Sequence, residues 1–182
     1  EKDFKNLISK LIKCKVFSFD TETTSLNPIS AELVGLSFSM KDSEAYYIPI
    51  SHSDESKNII LKENTIFEYL IDLFSRPDLV VVGQNIKYDM NVLRKYKVIF
   101  KCMLQDTMLM SYIYNSSGKH DLNTIAKKYL DYDVIKYEDV VGSGAKQKIF
   151  SEINVDEAMP YACEDADITL KLYRYFLEKL KS

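Results

Sequence analysis

Apolar positions along this chain follow two rhythms, one spaced for helices and one of short, nearly continuous runs. The opening stretch, "EKDFKNLISKLIKCK" (1–15), reads as a charged amphipathic helix ending near Lys15. "VFSFD" (16–20) follows as a strand, and "NPIS" (27–30) is turn chemistry, with Pro28 fixing φ. "ELVGLSFSM" (32–40) and "AYYIPI" (45–50) read as two more strands, split by the polar hairpin "KDSE". After the polar loop "SHSDESKN" (51–58), "KENTIFEYLIDLFSR" (62–76) sets Ile66, Phe67, Leu70, Ile71 and Phe74 at helical spacing, and Pro77 ends it. "LVVVG" (79–83) is apolar nearly throughout, as expected of a parallel strand covered on both faces. A helix from about Lys87 to Tyr96 and a short extended stretch come next. Helices over about 106–115, 121–130 and 154–181 complete the chain, interrupted by the loop 139–154. Three strands in a meander, a helix, a parallel strand and further helices predict a mixed α/β sandwich.

Composition narrows this picture. A chain of 182 residues that is 46% apolar fits one domain with a sizeable core. No repeat or linker marks a second one. At 28% charged it has a soluble, folded profile, and its apolar runs are too short to span a bilayer, so no membrane partner is expected. The first residue is Glu rather than Met, which suggests a piece of something longer. Cys14, Cys102 and Cys163 are scattered without paired spacing, which favours a reducing compartment. The net charge is −3, whereas a protein that grips duplex phosphates is normally basic. Any nucleic-acid role must obtain its positive charge elsewhere.

The candidate chemistry lies at strand ends. In "FSFDTETTSL" (17–26) an apolar run closes on Asp20 and Glu22, which share a face because strand side chains alternate. Two like charges side by side at a core strand's end invite a cation. "GQNIKYDMNVL" (83–93) places Asp89 in the first turns of the helix after a strand, and ligands of such sheets gather at strand carboxyl ends. In "YACEDADITLKL" (161–172), Tyr161 and Asp165 lie four apart and share a helix face. If these segments meet, four carboxylates cluster with no nearby cation, and all-oxygen ligation selects Mg²⁺ or Mn²⁺. Two such ions about 3.5–4 Å apart serve in-line displacement at phosphorus. Tyr161 can orient a water there, but a phenol of pKa near 10 is a poor base at neutral pH.

Taken together, "FDTET", "GQNIKYD" and "YACEDAD" resemble the three motifs of the DEDD superfamily of 3′–5′ exonucleases. "VGLSFS", "YIPI", "DTMLMSYI" and "KHDLNTIA" extend the likeness, in order, to the proofreading domain of bacterial family A DNA polymerases (DNA polymerase I). The resemblance covers essentially the whole chain. It implies a ribonuclease H-like fold and two-metal hydrolysis at single-stranded DNA 3′ ends, releasing nucleoside 5′-monophosphates. It also implies a polymerase domain C-terminal to this one in the parent chain, in a bacterial cytoplasm. By the same likeness, Asp20, Glu22 and Asp165 hold the first metal, Asp20 bridges to the second, and Asp89 supports the second, through water. Tyr161 with Glu22 positions the attacking water. Pro160 fills the slot where a sister branch carries His, so the tyrosine subtype is implied.

On the binding side the likeness points to Leu26 as a wedge, to Gln84, Asn85 and Tyr88 at the terminal nucleotides, and to Tyr137 as an aromatic platform. Lys119 stands where the family often has a phosphate-binding arginine, keeping the charge without the bidentate fork. Asp106 reads as a helix N-cap rather than a ligand. Two other readings share parts of this pattern. A ribonuclease D-like trimmer of RNA 3′ ends would use the same carboxylates, and a catalytically inactive polymerase scaffold would lack them.

Overall fold

The computed structural model describes residues 2–53 and 63–181. Its elements are α1 (Lys2–Lys13), β1 (Val16–Thr23), β2 (Leu33–Lys41), β3 (Glu44–Pro49), α2 (Glu63–Phe74), β4 (Val80–Gly83), α3 (Lys87–Arg94), β5 (Met103–Asp106), α4 (Thr107–Tyr114), α5 (Leu122–Leu130), α6 (Tyr137–Val141) and α7 (Val155–Lys179). One sheet in the order β3-β2-β1-β4-β5 carries them. β1 pairs antiparallel with β2 and parallel with β4, so the meander and the parallel half meet at β1. This is the ribonuclease H-like mixed sheet that the motifs imply.

Alternation along β1 divides the core. Phe17 and Phe19 turn to one face, where they pack against Phe38, Phe74 and residues of α1, α2 and α3. All four phenylalanines are fully buried, and each contributes about 1.5–3 kcal/mol by leaving water. Ser18, Asp20 and Glu22 turn to the other face, toward α7. Ser18 donates from Oγ to the Ala166 carbonyl of α7 at 2.6 Å. Ala162 and Ala166 are fully buried there, and their small side chains let the helix lie close to β1. Beside this seam, Val82 of β4 joins Ile168, Leu172 and Phe176 of α7 and residues of α4 and α5 in a second core.

Several boundaries differ from the sequence expectation. α1 ends at Lys13, and β1 continues past the acids to Thr23. The "KDSE" turn is only Asp42–Ser43, with Ser43 at φ 63 closing a two-residue hairpin between β2 and β3. The extended stretch before α4 is a full edge strand, β5, paired parallel with β4. The loop 139–154 begins inside α6 and carries two single 3₁₀ turns, at 144–146 and 150–152. Most of the polar loop 51–58, from residue 54 on, and the first residue of the 62–76 helix lie outside the described residues.

Candidate metal centre and substrate cleft

Asp20 and Glu22 project from β1 toward α7, and Asp165 answers them from α7. One carboxylate oxygen of each lies within 4.8 Å of the others. Asp89, in the first turn of α3, stands beside them under a different constraint. Its Oδ1 accepts from the Thr21 backbone N–H at 3.0 Å and from the Thr21 hydroxyl at 2.6 Å. The threonine between the two acids therefore holds the acid of the second motif in place.

Burial raises all four carboxyl pKa values, because a charge in a poorly hydrated site is costly. Asp20 is pushed up to about 7, with the Thr21 backbone N–H opposing the rise. Glu22 is pushed well above the usual carboxylate range, first by burial and then by the charges of Asp20, Asp165 and Asp89. Asp89 and Asp165 move the same way, burial first and Asp20 second. Asp20 and Asp165 keep some surface open to the cleft, whereas Glu22 is 6% and Asp89 2% exposed. Glu22 Oε1 is a buried oxygen with no hydrogen-bond partner among the described residues. A buried, unpartnered carboxylate oxygen inside a ring of like charges is costly unless a cation completes it. Three clustered carboxylates with no sulfur or imidazole form a hard donor set, so these residues fit Mg²⁺ or Mn²⁺.

The acids floor a cleft of about 850 Å³. Tyr161, one helical turn before Asp165, lines it, and burial followed by the charges of Asp165, Glu22 and Asp20 raises its phenol pKa far above the ordinary value. Leu26 stands on the rim, 95% exposed. Gln84, Asn85, Tyr88 and Tyr137 also line the cleft. Tyr88 is braced by Thr23 Oγ1 and donates to the Ser25 carbonyl. Gln84 donates to the His120 carbonyl at 2.8 Å and accepts from the Thr107 hydroxyl at 2.5 Å. Asn85 sits at φ 59, a left-handed conformation, and its N–H donates to Asp106 Oδ1 at 3.0 Å. Tyr137 stacks on Phe150 and meets Tyr161 edge-on, building an aromatic wall.

The remaining expectations concern Lys119 and Asp106. Lys119 is exposed and is not among the cleft's lining residues. The cation that does line it is Lys148, on the loop after α6, beside Gln147 and Ile149. The sequence shows Lys148 only as one of the two lysines of the loop 139–154, and nothing local marks which one faces the acids. Asp106 caps α4, accepting from Met108 N–H at 3.0 Å, and stands outside the carboxylate cluster. Thr21, which fixes Asp89, carries one local signal in the sequence, its place between the two acids.

The family model described as 3′–5′ exonuclease matches residues 1–181. DNA polymerase I of Pseudomonas aeruginosa is 39% identical over 178 residues, covering 96% of this chain and 20% of that protein. DNA polymerase I of Borreliella burgdorferi is 39% identical over 177 residues, covering 97% of this chain and 19% of that protein. The chain thus spans about a fifth of the length of these curated relatives. Among solved structures, the EXO domain of Aedes aegypti Nibbler superposes with a TM-score of 0.72 at 15% identity, over 100% of this chain and 86% of that one. Brucella melitensis NrnC with bound Mg²⁺ superposes with a TM-score of 0.65 at 20% identity, over 93% of this chain and 75% of that one. Matched from end to end by the family model and at 39% identity by DNA polymerase I relatives, this chain belongs to the 3′–5′ exonuclease family.

Proposed function

We propose that this chain is the proofreading unit of a bacterial DNA polymerase I, removing nucleotides from single-stranded DNA 3′ ends as nucleoside 5′-monophosphates. In this reading it is a single exonuclease domain cut from a longer cytoplasmic polymerase chain, with the polymerase domain following it. The observation that carries the reading is the unpartnered Glu22 Oε1 inside the Asp20–Glu22–Asp165 cluster. Asp20, Glu22 and Asp165 would hold one Mg²⁺ or Mn²⁺, with Asp20 shared by a second that Asp89 supports. When bound, a pair of such ions supplies the charge and Lewis acidity for in-line displacement at phosphorus.

The protein's own groups do the rest. Asp89, anchored twice by Thr21, is held as a rigid carboxylate rather than a searching one. Tyr161 keeps its proton at any working pH, so it acts as a donor and acceptor that aims a water, with Glu22 on the other side. Leu26, on the cleft rim, would wedge against a terminal base, and Tyr88 and Tyr137 would offer ring surface to unstacked bases. Lys148 gives the acidic chain one local positive charge for a backbone phosphate. Among the described residues, no helix is long and apolar enough to cross a membrane.

The test is cleavage of a 3′-end series of single-stranded DNA with Mg²⁺, with Mn²⁺ and in excess EDTA. Stepwise shortening that stops in EDTA supports the reading. Robust cleavage in EDTA sinks it, and faster trimming of the matched RNA strand hands the site to the RNA-processing alternative.

A further inference from the structure

Tyr47, on β3, approaches the carboxylates along the sheet instead of from the cleft. Asp20, Ser37 and Tyr47 are in register across β1, β2 and β3, and Glu22 and Gly35 form the next row of the same face. Gly35 has no side chain because the phenol fills its place: a Cβ there would lie 2.0 Å from Tyr47 Oη. Directly opposed strand residues carry their Cβ positions only about 4.5–5.5 Å apart, so this hydroxyl is within reach of the Glu22 carboxylate. The charge of Glu22, after burial, accordingly raises the phenol's pKa. Yet Glu22 Oε1 receives no hydrogen bond among the described residues.

His52 supplies the reason. Its Nδ1 lies 2.8 Å from the Ile153 carbonyl, which can only accept, so Nδ1 carries a proton. His52 is 2% exposed, and burial favours its neutral form. Neutral imidazole then offers Nε2 as an acceptor, and the Tyr47 hydroxyl, 2.7 Å away, donates its single proton there. We infer that His52 is a positioning residue: it holds the Tyr47 hydroxyl proton away from Glu22 and so keeps that carboxylate open to a divalent cation. The inference rests on the proposed role of Glu22 as a metal ligand.

Isothermal titration of the 182-residue chain with Mn²⁺ tests it. His52→Leu releases the phenol proton to Glu22, and Mn²⁺ affinity falls about tenfold, the worth of one hydrogen bond to a charged group. Tyr47→Phe leaves the affinity near wild type, and Tyr47→Phe combined with His52→Leu restores it. Lost packing alone does not produce that rescue. Unchanged affinity in folded His52→Leu, or a double variant as weak as His52→Leu, overturns the inference while the proposed function stands. Wild-type protein that binds no Mn²⁺ overturns both. Should His52→Leu fail to fold, NMR of the wild-type imidazole nitrogens reads the tautomer directly: protonated Nδ1 is expected, and protonated Nε2 overturns the inference.

Discussion

Tyr161 illustrates how burial narrows the uses of a side chain. Burial and then the charge of Asp165 raise its phenol pKa, which leaves hydrogen bonding as its contribution. Tyr161→Phe keeps the ring beside Tyr137 and Phe150 and loses that one bond. An orienting bond made in the transition state is worth on the order of 1.5–4 kcal/mol, roughly 10- to 1,000-fold in rate. Steady-state kinetics on a short single strand should show kcat falling by such a factor with KM little changed. Asp165→Ala, which removes a proposed ligand, should be slower still. Asp20 leads to a pH prediction. Its carboxyl titrates near 7 in the fold and near 3.9 in an unfolded chain. Between those values the metal-free folded state binds more protons, so stability falls as pH rises from about 4 through about 7. Mg²⁺ should therefore raise Tm more at about pH 8 than at about pH 5, and Asp20→Asn should raise the metal-free Tm at about pH 8 while abolishing cleavage. Equal Mg²⁺ shifts at both pH values would count against the cluster.

At the scale of elements, the site depends on how closely α7 lies against β1. Ala162 and Ala166 set that distance, and Ser18 pins it through the Ala166 carbonyl. Ala162→Leu would overpack the seam at a cost of about 1–3 kcal/mol. Urea unfolding should show that loss, and cleavage should fall by more than stability explains, because Asp165 moves with the helix. The sequence carried these two elements clearly. The phenylalanine alternation of β1 and the long periodic run of α7 mark themselves, and the first and third motifs fall on them. β5 was less visible because "MLQD" is four residues of mixed polarity whose strand character comes from pairing with β4. α6 was hidden in a polar loop for a similar reason, since only Val141 of its five residues is buried. The acids and Tyr161 were legible as types at spacings. The Thr21–Asp89 bonds and the placing of Lys148 over Lys119 arise from tertiary approach, which spacing does not encode.

For the molecule as a whole, the net charge of −3 poses the question of how a polyanion is attracted. Lys148 lines the cleft with the acids and makes no ion pair among the described residues. One phosphate contact on a single strand contributes about 0.7 to the slope of log affinity against log salt. In an Asp20→Ala background that cannot cleave, Lys148→Ala should lower that slope by about this amount in fluorescence anisotropy, and Lys119→Ala should lower it less. An unchanged slope removes Lys148 from the strand's path. The order in which the ligands occur along the chain has one more consequence. The carboxylates come from residue 20 near one end and residue 165 near the other, and α7 is the last element described. A chain still leaving the ribosome therefore holds Asp20, Glu22 and Asp89 but no complete site until α7 emerges and docks. A translation product truncated before α7 lacks Asp165 and cannot complete the cluster, whereas one truncated after it carries every ligand.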